Sequence, residues 1–302
     1  MSLSRASLLR AAAGGALTLA LGGRVSAQTT MARRRIPSSG EMLPVVGVGT
    51  WLTFDQPPEK RAALGEVLRI LFENGGSMID SSPMYGASEA VVGELLAAAG
   101  SRDKAFIATK VWTQGKQAGI EQMRRSMELL RTGPRIELMQ VHNLVDWRTH
   151  LATVRAWKAE GRVRYLGVTH YQASAYDELE AIMRAEALDF VQLNYALNDR
   201  AAERRLLPLA AERSIAIIVN QPFGGGGLIR QMMQKPLPGW AAEIGCTSWA
   251  QILLKFALSH PAVTCVIPGT GRADHARDNV RAGFGAIADA AMRARMIAAL
   301  DG

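Results

Sequence analysis

Cysteine is scarce: Cys246 and Cys265 are the only two in 302 residues. That leaves room for one disulfide at most, and the absence of a C-x-x-C spacing excludes a cysteine-built metal site or dithiol redox pair. Cys265 sits in the apolar run 263–267, where a thiol behaves as a small hydrophobe. No Gly-x-Gly-x-x-Gly opens a helix, so the phosphate turn of an open, doubly wound dinucleotide fold is missing. The formal charge of +8 is spread along helices without a basic block or an interleaved aromatic array, which argues against nucleic acid and for a small phosphate-bearing ligand. No internal repeat or long low-complexity insert divides the chain. Its 48% apolar and 21% charged residues suffice for one large core, and a single barrel of about 250 residues is an ordinary use of this length.

Strands and helices alternate along the chain. Residues 45–48, 78–80, 105–110, 137–142, 163–168, 190–194, 215–219 and 263–267 read as eight strands of nearly continuous apolar character. Helical patterns occupy 57–74, 88–99, 119–130, 149–159, 173–185, 199–213 and 247–259, with 272–281 and 287–300 closing the chain. The first places Leu64, Val67, Leu68, Leu71 and Phe72 at helical spacing and stops at Gly75 and Gly76. Strands buried on both faces, each returned by an amphipathic helix, form a parallel sheet. Eight such units favour closure into an α/β architecture, a single (β/α)8 barrel, over an open sheet. Ahead of it, residues 35–44 have two short arms around Ser38-Ser39-Gly40 and read as a β-hairpin. Residues 223–239 read as the longest irregular segment, and the last helix is an extra beyond the eight units.

Barrel catalytic groups gather where strands end at the carboxyl face. Three successive strands here end in Asp80, Lys110 and His142, and Tyr85 follows Asp80 in a loop that Pro83 and Gly86 keep from continuing as helix. Taken singly, each residue has an ordinary explanation as a solvated ion pair, packing or a structural hydrogen bond. Taken together, Asp80, Tyr85, Lys110 and His142 have the order and spacing of a catalytic set that resembles the aldo-keto reductases, and the resemblance covers essentially everything after residue 31.

The resemblance implies a TIM barrel whose floor is plugged by the hairpin. It also implies an enzyme that reduces aldehydes or ketones to alcohols with NADPH, NADH not being excluded; a monomer is expected. Tyr85 is then the proton donor. Lys110, kept charged by Asp80, draws the phenol from its reference pKa near 10 toward the operating pH, and His142 holds the substrate oxygen in line. Hydride has to come from the cofactor, because no side chain donates it.

In the same resemblance Thr50, Trp51 and Asp80 border the cofactor, while Thr169, His170 and Gln192 face its nicotinamide carboxamide. His170 stands where the family more often has Asn, and it also fits a surface histidine. Asn220, Gln221, Pro222, Phe223 and Gly224 run beneath the cofactor, with Asn220 where an aromatic often stacks. The glycines at 224–227 either bring backbone N–H groups against the pyrophosphate or form a flexible loop. Thr270, Arg272, His275 and Asn279 make the adenosine-phosphate segment, at a strand end that leads into a helix. Trp51, Phe54, Met84, Trp112, Asn143 and Tyr171 read as a largely apolar substrate wall, each also fitting core packing. No second cationic cluster calls for a sugar phosphate. Two other functions fit these residues: a Schiff-base lyase or aldolase using Lys110, and a non-catalytic NADP-binding redox-sensing module.

Residues 8–21 are apolar and rich in Ala and Gly, preceded by Arg5 and followed by Val25-Ser26-Ala27, a small-residue cleavage pattern. This reads as an export signal, too short for a membrane span of roughly 20 apolar residues. Ser4-Arg5-Ala6-Ser7-Leu8-Leu9 resembles a twin-arginine motif with Ala6 in place of the second arginine. The expected organisation is a signal peptide over 1–27, cleaved near Ala27, a linker over 28–34 and the reductase domain over 35–302, located in the periplasm. Retention in the cytoplasm is the alternative, with Met31 as a possible internal start. Loss of Arg5, Arg10 and Arg24 with the leader lowers the charge from +8 to +5.

Overall fold

The computed structural model describes residues 30–301, so the signal peptide expected over residues 1–27 lies outside the described residues. Strands β1 (Arg33–Arg35) and β2 (Met42–Pro44) pair antiparallel as the expected hairpin. The hairpin starts two residues inside the stretch read as linker, and Met31 and Ala32 before it are already buried.

Eight parallel strands follow: β3 (Val48–Gly49), β4 (Met78–Asp80), β5 (Phe106–Val111), β6 (Ile136–His142), β7 (Val163–His170), β8 (Phe190–Asn194), β9 (Ala216–Asn220) and β10 (Val263–Val266). Each pairs with its sequence neighbour. The two edges meet through the Val46–Val266 and Gly49–Gly269 bridges, backed by Gly47 N–H on the Val266 carbonyl at 2.9 Å and Val266 N–H on that of Val45 at 2.9 Å. The (β/α)8 barrel is therefore closed. The first strand, expected over 45–48, pairs with β4 only at Val48 and Gly49. A Cβ on Gly47 would lie 2.7 Å from the Met78 carbonyl, so the chain passes β4 too closely for a side chain there.

The helices are α1 (Arg61–Glu73), α2 (Ser88–Ala98), α3 (Lys116–Leu129), α4 (Trp147–Ala159), α5 (Tyr176–Ala185), α6 (Leu206–Glu212), α7 (Gly227–Met232), α8 (Trp249–Ser259), α9 (Ala273–Arg281) and α10 (Ala290–Asp301). The helix expected over 199–213 is instead a 3-10 turn, Ala201–Arg204, followed by α6. Pro208 has no N–H to give the carbonyl four residues back, so a helix can restart just before it but not run through it. The segment read as irregular contains α7, whose glycine-rich start hides Leu228 and Met232 as buried markers.

Two apolar layers hold the fold. One lies between strands and helices, and the other fills the barrel with Met78, Phe106, Leu138, Tyr165 and Phe190. Ile36 and Leu43 of the hairpin belong to the second layer, so the floor is plugged as expected. Because alternate strand residues share a face, Met78 sets the inward parity for Asp80, Phe106 for Lys110, and Leu138 for Gln140 and His142. The apolar members lie low in the barrel and the polar members at its carboxyl end.

Helices α2 and α3 approach so closely that a Cβ on Gly93 would meet the Leu129 carbonyl at 2.0 Å. Gly93→Ala is expected to destabilise the protein by about 2 kcal/mol through overpacking. Urea denaturation would show a lower midpoint, and an unchanged midpoint would contradict this approach distance.

Candidate active site

Lys110 Nζ donates to Asp80 Oδ2 at 2.6 Å and to the Ser81 carbonyl at 2.7 Å, with both side chains buried. Asp80 Oδ1 accepts from Gln192 Nε2 at 2.8 Å and from Gln140 Nε2 at 3.2 Å. Burial pulls the Lys110 pKa down, but the Asp80 charge, the Tyr85 phenol and hydrogen bonds to both outweigh it, and the net movement is upward. The amine stays protonated and has no lone pair to attack a carbonyl, which disfavours the Schiff-base lyase.

The Tyr85 loop is latched from the side: Asp55 Oδ1 accepts the Ala87 N–H at 2.9 Å, and Gly86, at φ +58°, leaves room for that carboxylate. The Lys110 Nζ lies 5.0 Å from the Tyr85 ring centroid, and the ring meets His142 edge to face at 5.7 Å. The expectation that Lys110 brings the phenol below its reference value needs correction. Burial pushes Tyr85 up by more than the charge and hydrogen bonding of Lys110 pull it back, and Asp80 adds to the rise. Tyr85 therefore carries its proton at neutral pH, and Lys110 limits the rise. His142 takes the other course. Burial first, then the positive charge of Lys110 and of His170, lower its pKa to about 2 and leave a neutral ring, whose Nδ1 lies 2.9 Å from Ser82 Oγ.

Among the expected cofactor residues, Thr50 is buried and donates to Ser81 Oγ at 2.9 Å. Gln192, expected to face a carboxamide, is held on Asp80, while its Oε1 receives Thr169 Oγ1 at 3.5 Å and Asn220 Nδ2 at 3.4 Å. His170 lies on the opposite strand parity to Thr169, stacks on Tyr171 and accepts the Gln172 N–H. Gln221, at φ +48°, begins the turn after β9, with Pro222 buried and Phe223 packed on the outer core. Gly224, Gly225 and Gly226 all have positive φ, a run that side chains resist, and they leave bare backbone at the carboxyl end of β9. Thr270 Oγ1 accepts the Arg272 N–H at 3.1 Å, and Asn279 is buried. Arg272 and His275 are exposed, but the Arg272 guanidinium is engaged by Asp274 at 2.5 Å and is not free.

Buried acceptors at this end of the barrel lack donors: Gln140 Oε1, Asn143 Oδ1 and Asn220 Oδ1. A nicotinamide carboxamide brings N–H donors of the complementary kind, so these residues fit such a group.

Of the expected substrate wall, Trp51, Met84, Trp112 and Tyr171 are exposed, and Asn143 is half-buried with φ +51°. Phe54 is wholly buried in the outer core and lines nothing; its N–H closes a turn onto the Thr50 carbonyl at 3.1 Å, which folds it inward. Sequence reasoning missed Leu52 beside Trp51, 72% exposed at φ +60°. It also missed Gln122, which grips both backbone groups of Trp112 at 2.6 and 3.1 Å, and Asp55, Ser82 and Gln140. Only Gln140 had a legible signal, an amide two residues before His142 on the inward face of an otherwise apolar strand.

Because the folded pKa of His142 lies below the unfolded value near 6.5, only the unfolded chain binds this proton between about pH 6.5 and 2. Stability at this residue is present above 6.5 and lost as pH falls. Between pH 7 and 5 the protein is expected to lose about 2 kcal/mol more than His142→Gln. Paired urea titrations would check this, and equal losses would contradict a neutral buried imidazole.

The sequence profile of the Aldo/keto reductase family matches residues 45–295. Methylglyoxal reductase YeaE of Escherichia coli (strain K12) is 29% identical over 261 residues, covering 82% of this chain and 89% of that protein. An NADH-specific methylglyoxal reductase of the same organism is 25% identical over 228 residues, covering 65% and 68%. Among solved structures, an aldo-keto reductase from Klebsiella pneumoniae in complex with NADPH has the same fold, with a TM-score of 0.76 at 24% identity over 88% of this chain and 94% of that one. With the profile spanning the whole barrel and the four polar groups gathered at its carboxyl end, this chain belongs to the aldo/keto reductase family and is an oxidoreductase of carbonyl groups.

Proposed function

We propose that the protein reduces small uncharged aldehydes and ketones to alcohols with NADPH, Tyr85 giving the proton to the carbonyl oxygen. The observation that carries this reading is the buried cluster at the carboxyl end of three consecutive strands, where Lys110 pairs with Asp80 at 2.6 Å and lies 5.0 Å from the Tyr85 ring, which meets His142 edge to face at 5.7 Å. Bound cofactor supplies the hydride to the carbonyl carbon. The alkoxide oxygen left by that transfer is a much stronger base than a phenolate, so a phenol above its ordinary value still protonates it downhill. Lys110 stabilises the resulting phenolate at short range, and Asp80 keeps Lys110 charged and aimed.

The exposed apolar residues Trp51, Leu52, Met84 and Trp112 favour an uncharged substrate. The naming of two relatives as methylglyoxal reductases points to 2-oxoaldehydes as the first class to assay. Thr270 and Arg272 offer a seat for a 2′-phosphate, which favours NADPH over NADH, the phosphate taking the place of Asp274 on the guanidinium. We also propose that residues 1–27 direct export, supported by the apolar run, Arg5 and the Ala27 site.

Tyr85→Phe is expected to lower kcat for aldehyde reduction by about 10²–10⁴ while leaving the Kd for NADPH unchanged. NADPH absorbance and fluorescence titration measure the two quantities, and undiminished turnover would overturn the assignment. Equal affinities for NADPH and NADH in the same titration would remove the phosphate role of Arg272. Fractionation of the native host should recover a shortened chain, beginning after Ala27, from the periplasm. Full-length protein confined to the cytosol would reject export.

A further inference from the structure

We infer that Ser82 is a positioning residue that fixes His142 as the tautomer with its hydrogen on Nε2. The catalytic consequence rests on the carbonyl-reduction reading above, but the tautomer itself does not. Ser82 is completely buried, and its hydroxyl has two polar neighbours among the described residues: His142 Nδ1 at 2.9 Å and the Met84 N–H at 3.4 Å. The Met84 amide can only donate, so it occupies a lone pair of Oγ. The hydroxyl hydrogen then needs an acceptor, and His142 Nδ1 is the one within reach. A neutral imidazole carries a single N–H, so when Nδ1 accepts, the hydrogen sits on Nε2.

The opposite tautomer aims two N–H donors at Oγ and strands the hydroxyl hydrogen in a dry site, which is unfavourable. Burial and the Lys110 charge keep the ring from taking a second proton, and the edge-to-face contact with Tyr85 restricts its orientation. Nε2 makes no hydrogen bond among the described residues, so its hydrogen is available to a substrate oxygen. Ser82 thus acts on the reaction through His142, setting the ring as a donor beside the phenol.

The test is a two-bond ¹H–¹⁵N correlation spectrum of the full-length protein with labelled histidine. The His142 signals are assigned by their loss in His142→Gln. The expected wild-type pattern is that of an Nε2–H ring. Ser82→Ala should shift this pattern toward the Nδ1–H form and lower kcat about tenfold with the Kd for NADPH unchanged, while Ser82→Thr, which keeps the hydroxyl, should retain both pattern and rate. An Nδ1–H pattern in the wild type would overturn the inference, as would Ser82→Ala with unaltered pattern and kcat. If Ser82→Ala fails to fold, the wild-type spectrum decides alone. Because that spectrum needs no turnover, its outcome is separate from that of the Tyr85 assay.

Discussion

One carboxylate sets the geometry of this barrel. Asp80 on β4 accepts from Lys110 on β5, Gln140 on β6 and Gln192 on β8. Burying two opposite charges costs several kcal/mol per ion, and mutual attraction offsets this only when the remaining hydrogen-bonding positions are also filled. Here Gln140, Gln192 and the Ser81 carbonyl fill them. In an open sheet, strands four places apart lie about 19 Å from one another at the usual spacing of about 4.8 Å. Gln192 nevertheless reaches Asp80 at 2.8 Å. Closure of the sheet is therefore a condition for keeping the ion pair buried, and the ion pair is a reason the upper layer of the barrel has a unique arrangement.

The same ammonium acts on its two neighbours in ways that favour one direction of proton flow. A positive charge lowers the pKa of any group beside it. At Tyr85 this offsets part of the rise from burial, so the phenol is a better acid than an equally buried tyrosine without the lysine. At His142 it adds to burial, so the imidazole is a poor base and does not take the phenol's proton. A phenol that holds its proton until a strong base forms next to it, beside a ring that will not intercept that proton, suits delivery to a newly formed alkoxide.

How much of this was readable from the chain varied with the distance over which each feature is determined. The eight strands and most helices follow from apolar periodicity and glycine stops, which are local. Asp80, Lys110 and His142 were legible because strand ends in a barrel converge by construction. The misreadings have non-local or competing causes. Phe54 has the size and position of a rim residue, but a turn onto Thr50 sends it into the core. The direction of the Tyr85 shift depends on burial against charge, two opposing effects whose balance no motif encodes.

Strain is distributed in the same sense as function. Among the described non-glycine residues with positive φ, Leu52, Asn143, Leu144, Asp146 and Gln221 all lie in loops that leave the carboxyl ends of barrel strands, and only Arg131 and Ser214 lie elsewhere. Each such residue costs on the order of 1–3 kcal/mol unless its surroundings enforce it. At the mouth the surroundings do so with side-chain to backbone bonds that reach the β5–α3 loop from the next unit, Asp146 on the Gly115 N–H at 2.8 Å and His150 of α4 on the Thr113 carbonyl at 2.8 Å. The opposite end carries less of this burden, at Arg131 and Ser214. There the hairpin inserts Ile36 and Leu43 into the barrel, and Arg34 donates to the His260 carbonyl at 2.9 Å near the end of α8. A floor closed by apolar packing can hold the barrel's shape while the loops above it adopt costly conformations, so the strands that carry the chemistry do not depend on the loops for their arrangement.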